Sequence, residues 1–168
     1  MRLVEPSEEY EAEFRVFAED YVRHGEAERA GKYDLSSLAF GDYLALSRKA
    51  ALRSSTDGTS YQTYWLMDGA EVMGVVRVRL RLTVEEEMFD GHLGVDVAPR
   101  KRRLGYGTAL LRLGCEEARR LGVDPVIVTC LRENVASKGA IERAGGRFLE
   151  EVVDRETGLP LLRYQLAC

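Results

Sequence analysis

The residues best able to do chemistry in this chain lie in one run. Arg100-Lys101-Arg102-Arg103 gathers four cations, and Leu104-Gly105-Tyr106-Gly107-Thr108 follows at once. Before the run, the alternating valines of Val95-Asp96-Val97-Ala98-Pro99 predict a strand; after it, Leu110, Leu111, Gly114, Ala118 and Leu121 recur at helical spacing. A strand therefore feeds a basic, glycine-containing loop that opens a helix over about 107–121. The first-turn amides of a helix lack internal partners, and the aligned peptide dipoles place roughly half a positive charge there. Gly105 and Gly107 let backbone N–H groups close around an anion, and Arg102 and Arg103 add charge-assisted hydrogen bonds. The ligand chemistry that suits this pattern is a diphosphate.

Two common diphosphate sites are excluded. Leu110 stands where a dinucleotide fingerprint needs its third glycine, and the next strand closes on Val128-Thr129-Cys130 without an acidic residue. The lysine and hydroxyl pair of a nucleoside-triphosphate loop is also missing.

The rest of the chain must position this loop. Helical stripes are predicted over 8–24 and 40–52, with 25–38 unassigned between them. Tyr61 to Met67 reads as a strand, Asp68-Gly69 as a hairpin turn, and 71–82 as a second strand with Arg77, Arg79 and Arg81 on one face. Those arginines face either solvent or an anionic group of a second ligand. An acidic loop at Glu85-Glu86-Glu87 leads to a strand over 92–97. After the basic loop and its helix come a buried strand (125–130), a short helix (135–144) and two closing strands (148–153 and 161–167). This order predicts one α/β domain spanning residues 1–168, built on a mixed, mostly antiparallel sheet of six to seven strands with helices on both faces.

Composition narrows the class. A net charge of −4 argues against a dedicated nucleic-acid binder, which would be basic. No apolar run approaches the ~20 residues of a membrane span, and the N-terminus turns acidic at once, unlike a secretory signal. Cys115, Cys130 and Cys168 are scattered and odd in number, which predicts no disulfide framework and a cytoplasmic location. With only His24 and His92 and no CxxC spacing, no metal site is expected.

The Arg102-x-x-Gly105-x-Gly107 run after a Val-x-Val-x-Pro strand resembles the coenzyme A signature of the GNAT superfamily of N-acetyltransferases. Asn134-Val135-Ala136-Ser137 and Ala144-Gly145-Gly146-Arg147-Phe148 resemble that superfamily's last helix and its exit. Thr63 to Leu66, Gly91 to Gly94 and Arg163-Tyr164 are similar, more loosely, to a small bacterial branch whose acceptors are mostly unassigned. The resemblance implies acetyl-CoA as co-substrate and an amine of a small molecule or peptide as acceptor. It implies two splayed parallel central strands, the first bulged. Val95 and Val97 would offer backbone to the pantetheine arm, the loop Arg102, Arg103, Leu104, Gly105, Tyr106, Gly107 and Thr108 would hold the diphosphate, and Asn134 and Ser137 would touch the far side of the arm. Asn134 also suits the N-cap of its own helix.

Catalysis needs a deprotonated amine, a donor for the developing oxyanion and a proton for the thiolate. A bulge N–H near Val95–Val97 is the expected oxyanion donor. Many relatives carry a tyrosine where this chain has Ile141, so Ser137 or Tyr164 must supply the hydroxyl. His92 is the candidate base, with Asp96 and Glu86 behind it and water-mediated deprotonation as a further route. Cys130 reads as a core residue. The missing tyrosine keeps a non-catalytic coenzyme A-binding module as the alternative, and exposed C-terminal edge strands make a homodimer reasonable.

Overall fold

In the computed structural model, which describes residues 1–33, 39–52, 60–155 and 157–168, the apolar periodicities sort onto two faces of a split sheet. Strand β1 (Arg2–Val4) leads through a 3-10 turn to α1 (Glu11–Arg23), α2 (Ala27–Gly31) and α3 (Phe40–Ala51). The hairpin of β2 (Tyr61–Asp68) and β3 (Glu71–Arg79) follows, then α4 (Val84–Phe89) and β4 (Leu93–Val97). Helix α5 (Tyr106–Arg120), β5 (Val126–Leu131), α6 (Val135–Arg143), β6 (Gly146–Val153) and β7 (Pro160–Leu166) complete the chain. The strands pair in two antiparallel sheets, in the orders β1-β2-β3-β4 and β5-β7-β6. No described helix is long and apolar enough to cross a membrane.

Each face buries its own core. Val76, Val78, Leu93, Val126 and Val128 pack against Leu110, Leu111 and Ala118 of α5 and Ile141 of α6. On the opposite face Trp65, Met67 and Val75 meet Phe14, Phe17 and Tyr21 of α1 and Phe40 and Leu44 of α3. Phe14 stacks on Trp65 at 4.2 Å between ring centroids, a contact worth about 1 kcal/mol beyond its burial.

The two sheets meet at one point. His92 N–H donates to the Ile127 carbonyl at 2.7 Å, and the Ile127 N–H donates to Nδ1 of the His92 ring at 3.0 Å. A side chain thus takes the place of a backbone acceptor. Beyond this junction β4 and β5 carry no ladder among the described residues; the single bridge, Gly91 with Val128, is of antiparallel type. The lack of a ladder between them fits the splay expected of these strands. The expected bulge in β4 is absent as well, since β3 and β4 stay in unbroken register from Val78–Leu93 to Gly74–Val97. The junction itself is tight. Gly91 turns at φ 71°, and a Cβ there would stand 2.7 Å from the Ile127 carbonyl oxygen.

Several expectations need correction. The acidic run 85–87 is no loop: Thr83 and Glu86 close a capping box that starts α4. Strand β3 ends at Arg79, so Arg81 does not share its face. Cys115 and Cys168 form a disulfide with Cα atoms 5.5 Å apart, because β7 returns its end beside α5. Their separation of 53 residues left no pattern to read. Residues 34–38 of the unassigned stretch lie outside the described residues.

Candidate functional site

The gap between β4 and β5 is the centre of the site. The Ala98 N–H donates to the Met73 carbonyl and the Arg79 N–H to the His92 carbonyl, so even-numbered residues of β4 spend their backbone on β3. In an antiparallel ladder the alternate residues face the other way. The backbone of Leu93, Val95 and Val97 is therefore turned to the side where β5 has diverged.

The loop after β4 closes the open end. Arg103 and Gly105 both take left-handed φ, 64° and 89°, within three residues. Such turns aim successive N–H groups into one concavity. Helix α5 begins on Gly105 without a side-chain cap, so its first amides stay available to a ligand. No atom outside the chain neighbours lies within 4 Å of where a Cβ on Gly105 would stand, and Leu104 is exposed. The mouth is narrow: a Cβ on Gly107 would lie 3.8 Å from Val97 and 3.7 Å from Ala140. Thr108 Oγ1 donates to the Ala140 carbonyl at 3.5 Å, and Tyr106 turns its hydroxyl away to Asp68 at 2.9 Å. The first turns of α5 and α6 thus converge where β4 ends.

The cations of the loop are not equivalent. Arg100 N–H donates to Asp20 at 2.9 Å, Lys101 pairs with Glu71, and Arg102 grips both oxygens of Glu26, one at 2.9 Å. Arg102 Nε also donates to the Val97 carbonyl at 3.3 Å, which Tyr21 Oη shares at 3.0 Å. The hydrogen bond from Arg102 holds the Glu26 carboxyl below its usual range. Among the described residues, Arg103 alone of the four has no carboxylate partner. Sequence reasoning missed Glu26, Asp20 and Tyr33; their partners lie more than 60 residues away, beyond any local signal.

Asp96, 5% exposed on the opposite face of β4, accepts from Tyr33 at 2.7 Å and from Arg29 and Arg77 at 3.2 Å each. Burial opposes its charge, but Tyr33 and the cations Lys32, Arg77 and Arg29 outweigh it and hold the carboxyl below the usual range. A carboxylate so stabilised is a poor base, and Asp96 serves as an anchor. Arg77 is spent on Asp96 and the Tyr33 ring, and Arg79 donates to the Gly91 carbonyl at 3.0 Å. Neither is left for an anionic ligand group.

Each of the three catalytic candidates has its own partner. Because the His92 Nδ1 accepts the Ile127 N–H, its neutral ring carries the proton on Nε2 and has no lone pair left there. Burial further lowers its basicity. Glu86 is committed to its capping box. Ser137 sits in the first turn of α6, its N–H capped by Asn134 Oδ1 at 3.0 Å, which makes Asn134 the helix cap. Tyr164 is buried on β7 with its hydroxyl 3.4 Å from Glu142, and burial raises its pKa so that it keeps its proton. Cys130 is free, buried and likewise raised by burial, as a core thiol would be.

Comparison with known proteins adds an independent line. The family model described as "Acetyltransferase (GNAT) domain" matches residues 2–147. No curated protein matches the sequence. Among solved structures, RimJ of Mycobacterium smegmatis in complex with CoA-disulfide superposes with a TM-score of 0.71 at 12% identity, covering 98% of this chain and 80% of that one. The microcin C7 self-immunity acetyltransferase MccE, in complex with acetyl-CoA and AMP, gives 0.68 at 12%, covering 99% and 91%. The structure of yncA from Salmonella typhimurium, with its cofactor acetyl-CoA, gives 0.64 at 19%, covering 98% and 92%.

Proposed function

The chain belongs to the GNAT acetyltransferase family and is an acetyl-CoA-dependent N-acetyltransferase, and from that premise we propose that its acceptor is a primary amine of a small molecule or peptide, attacking directly in the β4–β5 gap. The observation that carries the reading is the pair of left-handed residues, Arg103 and Gly105, before an uncapped helix at the mouth of that gap. Their amides, with those of Tyr106, Gly107 and Thr108 and the guanidinium of Arg103, which meets no carboxylate among the described residues, suit a diphosphate in number and charge. Val95 turns both backbone groups into the gap and Val97 its N–H, where pantetheine amides can pair with them, the Val97 carbonyl being held by Tyr21 and Arg102.

Acetyl-CoA supplies the acyl group already activated as a thioester. The residues of this chain bind and orient. An N–H of β4 facing the gap, from Val95 or Val97, donates to the carbonyl oxygen as charge builds on it. The amine loses its proton to water at the open side of the gap, since His92, Asp96 and Glu86 are committed elsewhere. Ser137, in the α6 turn beside the mouth, is placed to return a proton to the thiolate, with Tyr164 a protonated hydroxyl one strand further back. Asn134 keeps that turn in place and turns its amide nitrogen toward the arm. The chain works as one domain without nucleic acid. Exposed Phe148 and Val153 on the edge strand β6 favour a homodimer.

Calorimetric titration with acetyl-CoA, with NAD and ATP as controls, tests the site, and amine-stimulated thiol release tests turnover. Selective micromolar binding supports the reading. Gly105→Val is the matching variant, because its φ of 89° is strained for a β-branched residue and the loop must leave that conformation. Binding should fall by at least about 100-fold; unchanged affinity sinks the assignment of the loop.

A further inference from the structure

We propose that Glu26 is a positioning residue for the cofactor loop: it holds Arg102 folded back on the Val97 carbonyl and yields it to the diphosphate when acetyl-CoA binds. The proposal rests on the reading of the loop as the diphosphate site. Arg102 begins that loop, one residue before the left-handed Arg103, yet its guanidinium points to the corner between α1 and α2. There it makes a bidentate pair with Glu26, donates through Nε to the Val97 carbonyl and lies 5.8 Å from the Tyr21 ring centroid.

The exchange is feasible because neither side is stranded by it. Arg29 Nε already stands 3.7 Å from Glu26 and remains to balance its charge. Tyr21 still donates to the Val97 carbonyl at 3.0 Å, so the end of β4 keeps a partner. The Arg102 side chain is more than a third exposed, so it can swing without breaking the core. A diphosphate brings more negative charge than one carboxylate, and it meets Arg102 beside amides already aimed at it. Glu26 is a competitor that sets how tightly the loop can hold its ligand.

The test is calorimetric titration of acetyl-CoA into the full-length wild type, Glu26→Gln, Arg102→Gln and the double variant, each checked for an unchanged melting temperature. Glu26→Gln should bind acetyl-CoA about threefold to tenfold more tightly, the scale of a partly exposed charge-assisted pair. Arg102→Gln should bind more weakly. In the double variant the gain from Glu26→Gln should vanish, because there is no guanidinium left to release. A merely structural Glu26 would instead weaken binding when replaced, and by the same factor in both backgrounds. If the wild type binds and Glu26→Gln binds no more tightly, this proposal falls alone. If Glu26→Gln tightens binding equally without Arg102, Glu26 acts by general repulsion and the exchange is refuted. If the wild type does not bind, the loop assignment and this proposal fall together. Glu26→Ala repeats the arm where a retained amide contact to Arg102 would mask the effect.

Discussion

At the scale of single residues, side chains that look equivalent in sequence are divided by their partners. Arg100, Lys101 and Arg102 each face a carboxylate, while Arg103 faces none among the described residues. Arg103→Gln should therefore raise the acetyl-CoA Kd by about tenfold, the loss of one charge-assisted contact, with kcat at saturation little changed. Equal affinities in a calorimetric comparison would remove Arg103 from the site. His92 shows the converse, a residue of catalytic type given a structural task. Its Nδ1 caps the Ile127 N–H at the junction of the two sheets. Asn can place an acceptor oxygen near that nitrogen, so His92→Asn should keep kcat within about threefold, whereas loss of a general base costs about 100-fold or more. The acidic limb of the kcat/KM profile should survive the change; its disappearance would restore His92 as the base. The basic glycine loop was legible in sequence because the anion chemistry is local, written in consecutive residues. The Glu26–Arg102 grip was not, because its ends are 76 residues apart.

At the scale of elements, legibility followed how local the forces are. Alternating apolar residues gave β3 and β4, and the apolar stripe ending at Leu121 gave α5, because both patterns report a buried face. Helix α4 was hidden by its three glutamates, although Thr83-x-x-Glu86 carries the capping-box signal. The absence of a β4 bulge could not be read, since register belongs to the pair of strands and not to one. Gly74 is a place where that pairing leaves no room for a side chain. A Cβ there would stand 2.5 Å from the Asp96 carbonyl oxygen and 2.7 Å from Leu110 Cδ1, between the partner strand and α5. Leu110 can shift, but the backbone of β4 cannot without moving the edge that faces the gap. Gly74→Ala should destabilise the fold by about 1–3 kcal/mol, the range for overpacking a filled core. Denaturant unfolding measures it, and a midpoint equal to wild type would mean that β4 yields more easily than its unbroken ladder implies. Because the same shift displaces Val95 and Val97, affinity for acetyl-CoA should weaken alongside.

At the scale of the molecule, the site depends on the N-terminal helices staying docked on the first sheet, and Asp96 is the centre of that docking. It joins α2 through Arg29 and the adjoining Tyr33, β3 through Arg77, and β4 through its own backbone. Asp96→Asn leaves the Arg77 guanidinium, itself largely buried, without its counter-charge. The expected loss is about 3 kcal/mol at neutral pH, the lower end for breaking a buried pair. The pH dependence follows from the direction of the shift. The folded carboxyl titrates below the unfolded value of about 3.9, so the unfolded chain binds the proton first as pH falls. The stabilisation is therefore complete above the unfolded pKa and is lost as pH falls through the folded one. The gap in unfolding free energy between wild type and Asp96→Asn should be widest and flat above about pH 5 and should close progressively below about pH 4. Chemical denaturation at a series of pH values reads this directly. A gap that stays constant down to pH 3 would mean that the variant fails through packing alone, and that the charge of Asp96 does not hold the helices over the gap.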